Sequence, residues 1–238
     1  MEFLHQTEGT NPRVISECVR LAVSEAPAMV GQHITFDSPL LPLAQAEVEI
    51  LLAMKLKMIG AGAREVYDRQ LVELKVGVIV AIDDEPEEPV LAGFLQYTPR
   101  LFTQGVATIG YAAVHPDYRG KGLFTQLLDI LKQSYPIIGL DCPLEVAPIY
   151  EKLGFKPDNV QGAHVGMSLG AISGKTWMYT QEDLDNEKLY QQAKEKVRDR
   201  LGKETRAAYA KRDADTARRA EEVKAYIAQF KAKAAEPA

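Results

Sequence analysis

Apolar residues fall into blocks whose period changes along the chain from extended to helical, to extended, and back to helical. Residues 2–6 read as a short strand. Thr10-Asn11-Pro12 then has the form of a helix start, with proline suited to the first turn. Val14, Ile15, Cys18, Val19, Leu21 and Ala22 follow at helical spacing and carry that helix to about Glu25. A loop with Pro27, Gly31, Pro39 and Pro42 ends it. A second apolar helix is expected from Ala44 to about Ile59, stopped by Gly60-Ala61-Gly62, with a further helical piece over 64–73.

The period then shortens. Residues 75–82, KVGVIVAI, are rich in β-branched side chains and run into the acidic turn Asp83-Asp84-Glu85-Pro86, which predicts a strand and a hairpin with 90–98 as its partner. Another strand is expected from Val106 to Val114, ended by Pro116, which lacks a backbone donor. Leu123, Leu127, Ile130 and Leu131 return to helical spacing as far as Pro136, and Ile137 to Leu140 is a short strand. Strand, glycine turn, helix and strand make a βαβ unit. A short helix over 147–153 closed by Gly154 and a last strand from His164 to Leu169 complete the α/β region.

Beyond it, residues 181–235 are rich in Ala, Lys, Glu, Arg and Gln and read as helix. Leu184, Leu189, Ala193, Val197 and Leu201 form a narrow stripe, Gly202 interrupts it, and large apolar residues return only at Val223, Tyr226, Ile227 and Phe230. Such a segment is poor material for a core of its own. The expected organisation is therefore a domain over 1–175 and a charged helical tail over 176–238, the tail either solvated or buried against a homo-oligomer or larger assembly.

Composition narrows the class. The 238 residues are 46% hydrophobic and 26% charged, ordinary for a chain that buries a core. The net charge of −5 divides unevenly: residues 1–180 hold 14 basic and 21 acidic side chains, −7, and residues 181–238 hold 14 and 12, +2. A tail so close to balance does not make the concentrated basic face that duplex binding needs, so nucleic acid is not the expected partner. Cys18 and Cys142 form no CxxC or Cys/His cluster, which points away from zinc or a disulfide framework and toward a reducing, cytoplasmic setting. The first residues lack a signal-peptide pattern, and no run of about 18 apolar residues is present to span a bilayer.

The stretch richest in chemistry is Val114-His115-Pro116-Asp117-Tyr118-Arg119-Gly120-Lys121-Gly122-Leu123, where a strand gives way to an amphipathic helix. Glycines let the main chain approach a ligand closely, while free N–H groups and the positive dipole end of the helix favour a pyrophosphate. Arg119 and Lys121 add charge. Together with Ile149-Tyr150-Glu151-Lys152-Leu153-Gly154-Phe155 further on, the order and spacing of these residues resemble the GNAT N-acetyltransferase superfamily. The resemblance is specific over about Val106 to Leu169, is one of pattern over 1–105, and does not reach the tail.

That resemblance implies an α/β GNAT acyl-CoA N-acyltransferase fold, a mixed central sheet flanked by helices, here with a C-terminal helical extension. It implies acetyl-CoA as acyl donor, held at Arg119, Gly120, Lys121, Gly122 and Leu123, with the pantetheine arm along the exposed end of the 106–114 strand near Val114. Tyr150 stands where the family places the acid that protonates the departing thiolate, a role a phenol with a pKa of about 10 can fill. Two departures stand out. Phe124 occupies a position where Gly or Ala is usual, and strand 106–114 offers no carboxylate as a base, leaving His115, Asp141 and Glu145 as alternatives. The expected activity is direct transfer of an acetyl or similar group to a small-molecule or protein amine. The alternative is an inactive GNAT-derived assembly protein whose helical tail makes the contacts. Residues 26–73 would select the acceptor, and Trp177, Met178 and Tyr179 would anchor the tail or dock a partner.

Overall fold

The structure, a computed structural model, describes residues 1–67 and 69–235. Its centre is a seven-stranded sheet built from β1 (Glu2–Gln6), β4 (Gly77–Asp83), β5 (Val90–Pro99), β6 (Val106–Val114), β7 (Ile137–Pro143), β8 (Lys156–Gln161) and β9 (His164–Leu169), in the order β1-β4-β5-β6-β7-β9-β8. All neighbouring pairs are antiparallel except β6 and β7, which α3 (Leu123–Ser134) joins as a parallel pair.

Both faces of the sheet are covered, and this explains the unbroken apolar run in β4. Val78 and Val80 enter a core with α1 (Pro12–Ser24) and α2 (Leu41–Lys57), while Ile79 and Ala81 enter the opposite core with α3; all four are fully buried. At the start of α1 the Asn11 side chain accepts a hydrogen bond from the Arg13 N–H, the cap that the Thr-Asn-Pro sequence foretold.

Two expectations are corrected. Residues 64–73 are not helical: β2 (Arg64–Tyr67) and β3 (Gln70–Glu73) form a separate two-stranded antiparallel sheet, with Arg69 in the left-handed region at φ 64°. Turn geometry and the pairing of Val66 with Leu71 outweigh helical propensity there. A strand was also missed, since β8 carries Pro157 and polar residues; it pairs with β9 across a bulge between Pro157 and Asn159, as an edge strand can.

The C-terminal extension is packed against the domain, part of it on α2 and part on β8 and β9. α4 (Ala147–Lys152) is followed, after the last strands, by α5 (Gln181–Asn186), α6 (Lys188–Leu201) and α7 (Thr205–Ala235). Leu184, Ala193 and Val197 are buried in the α1–α2 core together with Tyr190, and Leu189 and Leu201 pack against it. The stripe expected to meet solvent or a second subunit is thus covered within the chain. α7 crosses to the other face, where Val223 and Ile227 join the α3 core. The Tyr226 hydroxyl donates to the Glu151 carboxylate, and Arg219 pairs with Glu145 just ahead of α4. No helix among the described residues is long and apolar enough to cross a membrane.

Candidate active site

Only three residues of β6 pair with β7: Val106 with Ile137, Ala107 with Ile138 and Thr108 with Gly139. Beyond Thr108 the strands diverge and open a wedge in the sheet. A bulge marks the same place on the other side of β6, because Gln96 faces Tyr111 while Tyr97 faces Ile109, so that Gly110 is the extra residue.

Two cavities flank the wedge. The smaller, of 200 Å³, is walled by Ala112, Ala113 and Val114 of β6, Arg119, Cys142 and Tyr150. The larger, of 520 Å³, is lined by Lys55 of α2, Arg100, Thr108, residues of β8 and β9, and Trp177, Met178 and Tyr179. Met29, Ile109, Gly110, Tyr111, Leu140 and Asp141 border both, so the two volumes meet at the bulge of β6 and the middle of β7.

Beside the smaller cavity lies the glycine turn. Gly120 and Gly122 both have φ +74°, a conformation that costs other residues strain, and a Cβ at either would meet nothing within 4 Å. Gly122 caps α3 and its carbonyl accepts from the Gln126 N–H, leaving the first N–H groups of the helix without intrahelical acceptors. The turn is open, uncharged in its main chain and backed by a helix N-terminus, which suits a pyrophosphate. Leu123 offers only its backbone, since its side chain is buried in the core. Lys121 stands over the Tyr118 ring at 5.2 Å. Arg119 is folded back: its Nε donates to the Val114 carbonyl at 3.0 Å and its Nη2 to Glu25 at 2.7 Å. Val114 therefore has its carbonyl engaged, and the free stretch of β6 beside the wedge lies earlier, from Ile109 to Ala113.

Tyr150 is fixed by α4 at the wall of the smaller cavity, between the rings of Phe124 and Phe155. Burial, with the nearby Cys142 and Asp141, pushes its phenol well above the ordinary range and keeps it protonated. Phe124, the departure from the family pattern, is half-buried and packs into this aromatic cluster. Cys142 is inert core: burial raises its thiol to about 12 and it contacts Met167 sulfur at 3.7 Å.

Of the alternatives for a base, only Asp141 borders the cavities. Its Oδ2 accepts from Nδ1 of His164 at 2.7 Å, and that buried ring fixes the carboxylate. His115 turns to the Asp117 backbone N–H and the edge of Tyr118, and Glu145 is held by Arg219. Lys55 and Gln96 escaped the sequence reading. Lys55 Nζ lies 5.9 Å from the Tyr111 ring centroid, and the fully buried Gln96 has its Oε1 without a hydrogen-bond partner. The signal was α2 itself, apolar on nearly every side, so that a lysine between Met54 and Leu56 is a charge in an apolar helix.

The model of the GNAT acetyltransferase domain matches residues 75–157, from β4 through the turn to the start of β8. This chain contains a GNAT acetyltransferase domain. Solved structures similar to it include an aminoglycoside 6′-N-acetyltransferase complexed with coenzyme A, at 15% identity over 73% of this chain and 99% of that one, TM-score 0.46. Another is a GNAT family acetyltransferase from Brucella melitensis in complex with acetyl-CoA, at 18% identity over 76% and 97%, TM-score 0.42. A third is an acyl-CoA N-acyltransferase from Pseudomonas aeruginosa, at 11% identity over 71% and 100%, TM-score 0.44. No curated protein matches the chain. The GNAT match ends well before α5, so the helical extension lies outside it.

Proposed function

We propose that the protein is an N-acyltransferase that passes an acetyl or similar acyl group from acyl-CoA directly to an amine. The observation that carries this reading is the wedge between β6 and β7, where a cavity walled by Tyr150 meets a larger one at Asp141. The donor would lie with its pyrophosphate on the first-turn N–H groups of α3 and its arm along Ile109 to Ala113 of β6. The larger cavity would receive the amine from the side of Met29, Leu51 and Lys55, within the 26–73 range expected to select the acceptor.

Acyl-CoA supplies a thioester carbonyl and a thiolate leaving group. The amine nitrogen bonds to the carbonyl carbon as the carbon–sulfur bond breaks; one proton leaves nitrogen and one reaches sulfur. Asp141, held by His164, is the group at the junction that can take the first proton, directly or through water. Tyr150 holds the second. Its high pKa does not bar the transfer, because the burial that destabilises a phenolate destabilises a thiolate in the same cavity.

Calorimetric titration with acetyl-CoA tests the donor site. Wild type is expected to bind and Gly122→Trp, which fills the turn, is not. Tyr150→Phe is then expected to bind acetyl-CoA normally but release CoA about 100-fold more slowly in the presence of an accepted amine. A folded wild type that does not bind acetyl-CoA overturns the reading.

A further inference from the structure

We propose that the accepted amine also bears an anionic group, and that Lys55 binds that group in the larger cavity. The inference rests on the acyltransferase reading and narrows it to a substrate class of which an amino acid is the simplest member.

Lys55 projects from α2 to the bulge of β6. The absence of a side chain at Gly110 makes room for it: a Cβ there would lie 3.0 Å from Lys55 Nζ and 2.5 Å from Gln96 Oε1. The ammonium thus stands beside a buried amide oxygen and over the Tyr111 ring, at the boundary of the two cavities. Among the described residues it has no carboxylate within ion-pair distance. Arg100, on the same cavity wall, has none either; its donors go to the Thr108 and Thr176 hydroxyls and the Ser173 and Gly174 carbonyls. The wall therefore carries two basic side chains that no carboxylate among the described residues meets in an ion pair.

The acids nearby are differently engaged. Asp141 takes the His164 N–H, Asp158 is an exposed residue of β8, and Glu47 of α2 does not line the cavity. Burial lowers the pKa of Lys55, with Asp141 pulling the other way, so the charged form is destabilised until a second anion arrives. Lys55 is half-buried and without an ion-pair partner among the described residues, so a ligand that supplies an anion gains a contact that its neutral isostere does not. With Asp141 at the amine and Lys55 at the anion, the cavity matches both ends of a zwitterion.

Trp177 lines this cavity and is the only tryptophan, so its fluorescence reports binding there without turnover. N-acetylglycine, as a minimal product, is titrated against N-acetylglycinamide with wild type, Lys55→Gln and Lys55→Arg. Wild type is expected to bind the acid at least about 10-fold more tightly than the amide, Lys55→Gln to lose the difference, and Lys55→Arg to keep most of it. Glycine against aminomethylphosphonate as acceptors, read by released CoA, distinguishes carboxylate from phosphonate as the favoured anion. Equal binding of acid and amide overturns the proposal, as does a preference that survives in Lys55→Gln. Loss of turnover in both variants with neutral amines as well would make Lys55 a proton acceptor and also overturn it. Acetyl-CoA titration of the same preparations separates these failures from failure of the donor site.

Discussion

The ring of Phe124 meets the ring of Tyr150 edge-on, their centroids 5.4 Å apart and their planes at 89°. Phe155 approaches Tyr150 from another side at 5.6 Å and 73°. Where the family pattern has a small residue, this chain uses an aromatic one to wall in the proposed acid. An edge-to-face pair contributes about 0.5–1.5 kcal/mol beyond its buried area. Phe124→Ala is therefore expected to lower unfolding free energy in urea by at least about 1 kcal/mol, whereas Tyr150→Phe, which keeps both ring contacts, changes it little.

Gly122→Ala isolates backbone conformation from crowding. A Cβ there meets nothing, so the cost is the left-handed φ of +74° alone, about 1–2 kcal/mol. Urea unfolding reads it. A loss well above that range would mean that the turn is tighter than its open surroundings imply.

Removing α7 by truncation after Leu201 uncovers the core around Val223 and Ile227, each worth about 1.5–3 kcal/mol of burial. It also releases the ties from Tyr226 to Glu151 and from Arg219 to Glu145 that brace α4. The truncated chain is expected to melt several degrees lower and, at a temperature where it stays folded, to turn over more slowly. Unchanged melting would show that α7 is dispensable to the core.

Alkaline pH should unfold the protein through its phenols. Tyr97, Tyr111, Tyr150 and Tyr226 all have pKa values raised, chiefly by burial. Folding thus favours their protonated forms. The stability they contribute is fully present below the unfolded-state pKa of about 10 and declines as pH rises above it. Spectrophotometric titration is expected to show these four ionising together with loss of the folded circular dichroism signal, after the more exposed tyrosines.

Much of this architecture could be read from the chain because it is local. The Asn11 cap, the β-branched run of β4 and the glycines before α3 each act within a few residues. What escaped was set by distant partners. The hairpin at 64–73 depends on cross-strand pairing, and β8 depends on β9 to tolerate its proline. Tyr150 and the turn at Arg119 were singled out through a family resemblance, whereas the position of Asp141, which borders the cavities as His115 and Glu145 do not, follows only from where β7 leaves β6. Lys55 reaches the wedge because Gly110, in a different element, has no side chain. The tail's stripe was visible, but nothing in its period says that its partner is α2 of the same chain.

Arg119 holds together two parts that the chemistry would use separately. Its guanidinium ties Glu25, at the end of α1, to the Val114 carbonyl, at the end of β6. Glu25 leads directly into the short turn before Met29, which walls both cavities. A pyrophosphate bound on the glycine turn as proposed would compete with Glu25 for this one cation, so each would weaken the hold of the other to the same degree. On the proposed reading, donor arrival would thereby be felt at the entrance proposed for the acceptor, through a single side chain.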